Sequence, residues 1–273
     1  MTDLEYIGVV VVSYRSPERT AAFVKEQLTK LPFKYRICVV DVASTTENRL
    51  ALGELLPPET GRLFCEENLG YSRGNNRGAR KLREEVGGLK YLFICNDDVL
   101  FDEESHLERM VDYLDEHPDC GIVGPSVVGT DGLEQSPWDT ADDLGAHERY
   151  HKWEAPFGGE SRKCYAVRGC ALMIRADAFF DVGGFDEEYF LFFEEPVLGE
   201  KFTKIGLYTW YLAESHVTHL GSATIKKELA SWKIYKLYRE SFMRTAIKYW
   251  KWGWLRRITW PLRHAIAKFF QRD

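Results

Sequence analysis

The chain has 273 residues, 45% of them hydrophobic, with 36 Lys and Arg against 42 Asp and Glu for a formal net charge of −6. That balance fits one large α/β domain or two small ones with a full apolar core, and it excludes a disordered or low-complexity chain. The charge is segregated: from Lys226 onward 13 Lys or Arg meet only Glu228, Glu240 and Asp273, so this segment carries +10 and the remainder −16.

Residues 7–13, IGVVVVS, form a β-branched run suited to a strand covered on both faces. SPERTAAFVKEQLTKL follows, with Ser16 as a cap, Pro17 in the first turn and Ala21, Val24 and Leu28 at helical spacing. YRICVVDVAS supplies a second strand ending at Asp41, GRLFCEE a third, SRGNNRGARKLREEV a helix and KYLFICNDD a fourth strand. Such alternation with short connections predicts right-handed βαβ units around a mostly parallel sheet, whose ligands bind beyond the carboxyl ends of the strands. Asp41 and the Asn96, Asp97, Asp98 cluster fall at such ends.

A helix around EESHLERMVDYLDEHP and a strand CGIVGPSVV come next, then a polar stretch from about Gly129 to Cys164 that is long for a structureless loop. The segment from Tyr165 to Gly206 reads as a strand, a helix, a Gly-Gly turn, an aromatic segment and another helix. The six cysteines are scattered singly without CxxC pairs, which predicts reduced thiols in a cytoplasmic compartment. MTDLEYIGVVVVSY lacks the features of a signal peptide, and no apolar run approaches the ~20 residues that span a bilayer, so the expectation is neither secretion nor membrane crossing.

Adjacent carboxylates closing a buried strand repel each other and lose hydration unless a cation compensates, and a divalent ion held by carboxylates, water and phosphate oxygens is one solution. An ordinary turn that caps a helix is the other reading of Asp97 and Asp98. Taken with VVVVSYRSPERT, VVDVAS, ENLGYSRGNNRGA, VRGCALMIR, GGFDEEYFLFFEE and VTHLGS, the FICNDDV segment resembles the family-2 nucleotide-sugar glycosyltransferases of the GT-A fold. The likeness is strongest to the bacterial rhamnosyl- and galactosyltransferase type that builds surface polysaccharides such as O-antigen and capsule, and it covers roughly residues 7–245.

That resemblance implies a Rossmann-like α/β sheet flanked by helices and a Mn²⁺ or Mg²⁺ cofactor. It implies Asp98 as main metal ligand, Asn96 and Asp97 on ribose, metal or water, and His219 on the metal or the diphosphate. Asp41 would read the base or ribose with Ser44 nearby, beside Ser13, Tyr14 and Arg15, where Arg15 departs from the usual Tyr-Asn. Asn68 and Gly70 match a loop that closes on the nucleotide, Arg73, Asn75 and Asn76 are placed to bond base or phosphate, and Gly169 and Cys170 to line the sugar pocket. Glu195 occupies the place of the general base, with Glu194 as second candidate because Pro196 and Val197 replace the usual Val-Asp. His216 is expected to be structural, its side chain on the opposite face of a strand from His219.

A division follows into a transferase domain, 1–225, and a basic helical tail, 226–273, rich in Trp, Tyr and Phe, including Trp232, Tyr238, Phe242, Trp254 and Trp260. Such helices lie on anionic membranes, or pack their aromatic face on the domain or on a second subunit as a homodimer contact. No nucleic-acid recognition motif is present. The expected function is an inverting transfer of a hexose or deoxyhexose from a UDP- or dTDP-sugar to a lipid-linked glycan at the inner membrane face. A non-catalytic nucleotide-sugar-binding subunit and a nucleotidyltransferase are the alternatives.

Overall fold

The computed structural model describes residues 6–102, 105–139, 159–221, 231–254 and 259. Much of the long polar stretch and the tail residues 226–230, 255–258 and 260–273, Trp260 among them, lie outside the described residues.

Strand β1 (Ile7–Ser13) lies between β2 (Tyr35–Val42) and β4 (Tyr91–Cys95), and β3 (Gly61–Cys65) adds to β2, all four parallel. Beyond β4 the sheet turns mixed: β8 (Ala171–Arg175) runs antiparallel to β4 and to β6 (Cys120–Gly129). β9 (Tyr208–His219) runs parallel to β6, and its flanks take the short antiparallel strands β5 (Val99–Leu100) and β7 (Arg162–Cys164). This is the expected mixed, mostly parallel sheet flanked by helices, with the parallel βαβ crossovers in its first half.

The period-2 geometry of β1 divides the core. Ile7, Val9 and Val11 face one apolar cluster with Ala21, Val24 and Leu28, while Val10 faces a second with Ala79 and Leu82. The first helical segment starts as α1 (Pro17–Ala22) and continues with π and 3₁₀ geometry to Lys30. α2 (Thr46–Leu55), unmarked by apolar periodicity, is capped by the Thr45 side chain on the Asn48 amide. α3 (Gly70–Glu85) crosses β1 and β2, and its glycines set the approach: a Cβ on Gly78 would meet Val10 Cγ1 at 2.5 Å and Val40 Cγ2 at 2.9 Å. The GNNRG run is thus explained by close helix–sheet packing.

α4 (Glu108–Glu116), α5 (Ala176–Asp181), α6 (Glu194–Thr203) and α7 (Ser231–Lys248) complete the chain. α7 belongs to a third apolar cluster in which Phe242, Ala246 and Trp252 pack with Trp138, Tyr189, Phe193 and Val197. Phe242 and Trp252 of the aromatic tail are thus buried within this chain, while Trp232 and Trp254 stay exposed. All six cysteines are free thiols, and among the described residues no helix is long and apolar enough to cross a membrane.

Candidate active site

The antiparallel pairing of β5 with β9 sets Val99 opposite His219, and the Leu220 amide donates to the Asp98 carbonyl at 2.9 Å. Asp98 and His219 therefore face each other, with His219 Nε2 3.4 Å from Asp98 Oδ1, a buried oxygen that has no hydrogen-bond partner among the described residues. On its other side His219 Nδ1 lies 3.0 Å from Gln135 Oε1. An amide oxygen only accepts, so Nδ1 donates to Gln135, and Nε2 is the ring nitrogen that faces Asp98.

An unsatisfied carboxylate oxygen beside an imidazole nitrogen is a donor set that fits a divalent ion taking its other ligands from a diphosphate and water. No group of three or more His, Cys, Asp or Glu that could hold a metal occurs among the described residues.

Asp97 points elsewhere. Arg19 Nη2 lies 2.8 Å from its Oδ1, and Thr20 donates to its Oδ2 at 2.6 Å, with the Ser13 hydroxyl 2.7 Å from Thr20. Burial pushes the Asp97 carboxyl up, while Arg19 and Thr20 hold it down. Ser13 and Asp97 thus tie β1, α1 and the strand end together. Asn96 stays half-buried, its amide donating to the Cys170 carbonyl at 2.9 Å.

At the ends of β1 and β2, Ser44 donates to Asp41 Oδ1 and accepts from the Arg15 amide at 3.1 Å. Asp41 is 1% exposed, and its Oδ2 has no hydrogen-bond partner among the described residues, although Arg49 Nε lies 3.5 Å away. Burial raises its pKa, against the Ser44 bond and Arg49. Arg15 is exposed and lies over the Tyr14 ring, 5.1 Å from the centroid.

The loop residues of ENLGYSRGNNRG are largely engaged in holding the fold. Asn68 accepts from the Gly70 amide at 3.0 Å, and Gly70, at φ 67°, has no room for a Cβ beside Phe190. Arg73 donates to the Glu187 carbonyl at 3.1 Å, and Asn75 to the Tyr71 carbonyl at 3.0 Å. The buried Asn76 donates to the Phe185 carbonyl at 2.9 Å and accepts from its amide at 2.9 Å. Asn75 thus bonds within α3, and Asn76 bonds the residue after the Gly-Gly turn.

The antiparallel β4–β8 pairing carries Arg168, Gly169 and Cys170 to the same edge as Asn96. Here α6 delivers its first two residues. A Cβ on Gly169 would lie 2.7 Å from Glu195 Cδ and 2.9 Å from the Tyr71 hydroxyl, which itself donates to the Gly169 carbonyl at 2.6 Å. Glycine is required because the carboxylate rests on its Cα.

The two glutamates differ. Glu194 is 3% exposed, with an unpartnered Oε1, and burial together with the Glu195 charge pushes its pKa well up. Burial also raises Glu195, but its own amide, Arg168 and the Gly169 amide hold it down. Burial thus raises both carboxyls, and Glu195 has the partners that oppose the rise. Burial keeps the Cys170 thiol well above its ordinary value, so it stays neutral.

Arg168 and Gln135 are absent from the sequence-derived set. Arg168 Nη2 reaches Gln135 Oε1 at 3.4 Å, so Gln135 joins the His219 side of the site to the Glu195 side. A cation inside the apolar strand approach of VRGCALMIR is a legible signal, whereas Gln135 lies in an aperiodic loop and has none. His216 lies apart, 3.2 Å from Asp102.

The family model for glycosyl transferase family 2 matches residues 8–180. The chain belongs to this family. It is 25% identical to a Mycobacterium tuberculosis N-acetylglucosaminyl-diphospho-decaprenol L-rhamnosyltransferase over 98% of this chain and 92% of that protein. It is 23% identical to the Haloferax volcanii low-salt glycan biosynthesis hexosyltransferase Agl10 over 71% of this chain and 60% of the relative. Among solved structures it resembles GalNAc-T7 with UDP, GalNAc and Mn²⁺ (TM-score 0.62, 17% identity, 90% of this chain and 48% of the other). It also resembles the Pyrobaculum calidifontis mannosyltransferase PcManGT with GDP-Man and Mn²⁺ (TM-score 0.58, 19% identity, 97% and 70%). This protein is accordingly a glycosyltransferase with the GT-A fold.

Proposed function

We propose that this glycosyltransferase is metal-dependent and inverting, and that it moves a hexose or deoxyhexose from a UDP- or dTDP-sugar to a growing, lipid-linked bacterial glycan. The observation that carries the reading is the unsatisfied Asp98 Oδ1 facing His219 Nε2, joined through Gln135 and Arg168 to the ionisable Glu195.

Asp98 and His219 would hold Mn²⁺ or Mg²⁺, which when bound offsets the charge gathering on the departing diphosphate. Glu195 takes the proton of the acceptor hydroxyl while that oxygen bonds to the anomeric carbon and the bond to the diphosphate breaks, its electron pair leaving with the phosphate. Burial tunes Glu195 upward, which makes it a stronger base than a surface carboxylate. The unpartnered Asp41 Oδ2 is an acceptor for the ring N–H of a uracil or thymine base.

The acceptor and its place rest on two further supports. The M. tuberculosis relative is named for a lipid-diphosphate-linked sugar acceptor and for L-rhamnose. α7 also leaves Trp232, Lys233, Lys236, Arg239 and Ile247 exposed, a basic and aromatic outer face suited to anionic lipid at the inner surface of the cell membrane.

The test is Mn²⁺-dependent nucleotide release from UDP-Gal, UDP-Glc, UDP-GlcNAc and dTDP-rhamnose, with bacterial membrane lipid extract as acceptor, beside Glu195→Gln. Release from one donor, abolished by chelator and by the variant, is expected. Binding of donors without turnover under any condition would overturn the reading and leave a nucleotide-sugar-binding protein.

A further inference from the structure

The two glutamates are presented by a turn in an unusual backbone state. Phe192 and Phe193, at φ 73° and 70°, are both left-handed, a conformation that aromatic residues rarely adopt singly and that persists only where surrounding contacts impose it. Glu194 follows immediately as the first residue of α6. The contacts that hold the turn come from α7 and the residues just after it.

Tyr238 meets both rings, with centroids 5.5 Å from Phe192 and 5.0 Å from Phe193, and Phe242 and Trp250 close on Phe193 at 5.6 and 6.2 Å. Ser241 donates to the Leu191 carbonyl at 2.8 Å, and Thr245 Oγ1 lies 3.0 Å from the Tyr189 hydroxyl. Further along, Lys248 Nζ is 2.8 Å from Asp186 and 3.0 Å from Glu188, and Tyr249 donates to Asp186 at 2.7 Å. Every turn of α7 from Tyr238 onward thus touches the 186–193 segment. Both segments lie beyond residue 180, where the family match ends.

We infer that α7 is part of the catalytic unit: Tyr238, Ser241, Phe242 and Thr245 are positioning residues that lock the Phe192–Phe193 turn and thereby aim Glu195 at the acceptor hydroxyl. The inference rests on Glu195 being the base. Because the outer face of the same helix carries the basic and aromatic residues, anything that α7 docks against is in register with the base. A helix that only stabilised the fold would have no reason to concentrate its polar bonds on carbonyls and hydroxyls of this one segment, two of them from buried Ser241 and Thr245.

The experiment compares the full-length chain with a Ser241→Ala/Thr245→Val double variant and with Tyr238→Leu, which keeps an apolar contact should the first fail to fold. Donor turnover with lipid extract, UDP–Mn²⁺ affinity and amide hydrogen exchange of residues 186–197 are read on each. The expected result is a fall in kcat of about tenfold or more, because displacement of a reacting group by about 1 Å costs on the order of a hundredfold. Donor KM and UDP–Mn²⁺ affinity should stay within about twofold, and exchange should accelerate only in that segment.

A lowered melting point with unchanged kcat, or nucleotide affinity falling in step with kcat, overturns the inference. Glu195→Gln runs alongside. If it retains transfer, the base assignment fails and this inference with it. If it is dead while the α7 variants turn over normally, the inference alone fails.

Discussion

Replacing Gly169 by Ala tests the location of the base with a single methyl group. The added Cβ would stand 2.7 Å from Glu195 Cδ, where ordinary contact begins near 3.4 Å, so the carboxyl carbon must retreat by at least about 0.7 Å and its nearer oxygen by more. The atoms that have to move are the end of a flexible side chain and the Tyr71 hydroxyl, so the fold absorbs the change and the melting temperature should drop by only a few degrees. Catalysis has less tolerance. A misplacement near 1 Å lowers kcat by about a hundredfold, whereas UDP–Mn²⁺ affinity, which the proposed function assigns to Asp41 and Asp98, should be unaltered. Steady-state turnover of the active donor, calorimetric nucleotide titration and a thermal melt separate the three effects. A Gly169→Ala protein with kcat within about threefold of the parent would show that the carboxylate resting on Gly169 is not the base.

The two aspartates of NDD should separate cleanly. Asp97→Asn loses the Arg19 pair and should cost about 1–3 kcal/mol in denaturant unfolding, discounted for the partial exposure of Arg19, with Mn²⁺ dependence retained. Asp98→Asn should leave stability near parental and abolish Mn²⁺ binding in the presence of UDP. The reverse pattern would refute the assignment. Gln135→Leu frees the His219 tautomer and should weaken Mn²⁺ by about tenfold in an EPR titration with UDP present, while Gln135→Glu, still an acceptor, should not. Glu194→Gln should change the pH dependence of stability. The folded state holds the Glu194 proton above the ordinary value of 4.5, so the parent loses stability as pH rises from there toward the folded pKa. Each pH unit in which only the unfolded chain is ionised costs about 1.4 kcal/mol. The Gln variant should therefore melt higher than the parent at pH 7, with the advantage gone near pH 4, and an identical pH slope in the two proteins would sink the argument.

The half of the fold before β6 is legible because β-branched runs and short helical connections leave few alternatives. α2 escapes, since its one fully buried apolar residue, Leu52, gives no periodic stripe. At the site, NDD announces a charge problem but not its division, because which carboxylate meets Arg19 and which meets His219 depends on β5 pairing with β9, more than 100 residues away in sequence. Gly74, Asn75, Asn76 and Gly78 look like a nucleotide loop because helix–sheet contact and phosphate approach both call for small residues and amides. The basic aromatic tail reads equally as a membrane helix or a core helix, since aromatic rings bury as readily against protein as against lipid headgroups. In the folded chain one face is buried and the other is exposed, a division that no helical period reveals without knowing what the inner face covers.

Four acids closed into one protein edge would be ruinous if all were treated alike, and each meets burial differently. Asp97 has a guanidinium and a hydroxyl, and is satisfied within the fold. Glu194 leaves Oε1 unpartnered beside a charged neighbour, so its pKa is pushed well up. Asp98 keeps one oxygen without a hydrogen-bond partner and faces the His219 ring, an arrangement open to a cation from solution. Glu195 is raised by burial and held down by Arg168 and two backbone amides, the environment that the proposed base would need. The partners, more than the carboxylates themselves, divide structural from reactive residues. Arg168, which no motif carries, is the cation that faces Glu195.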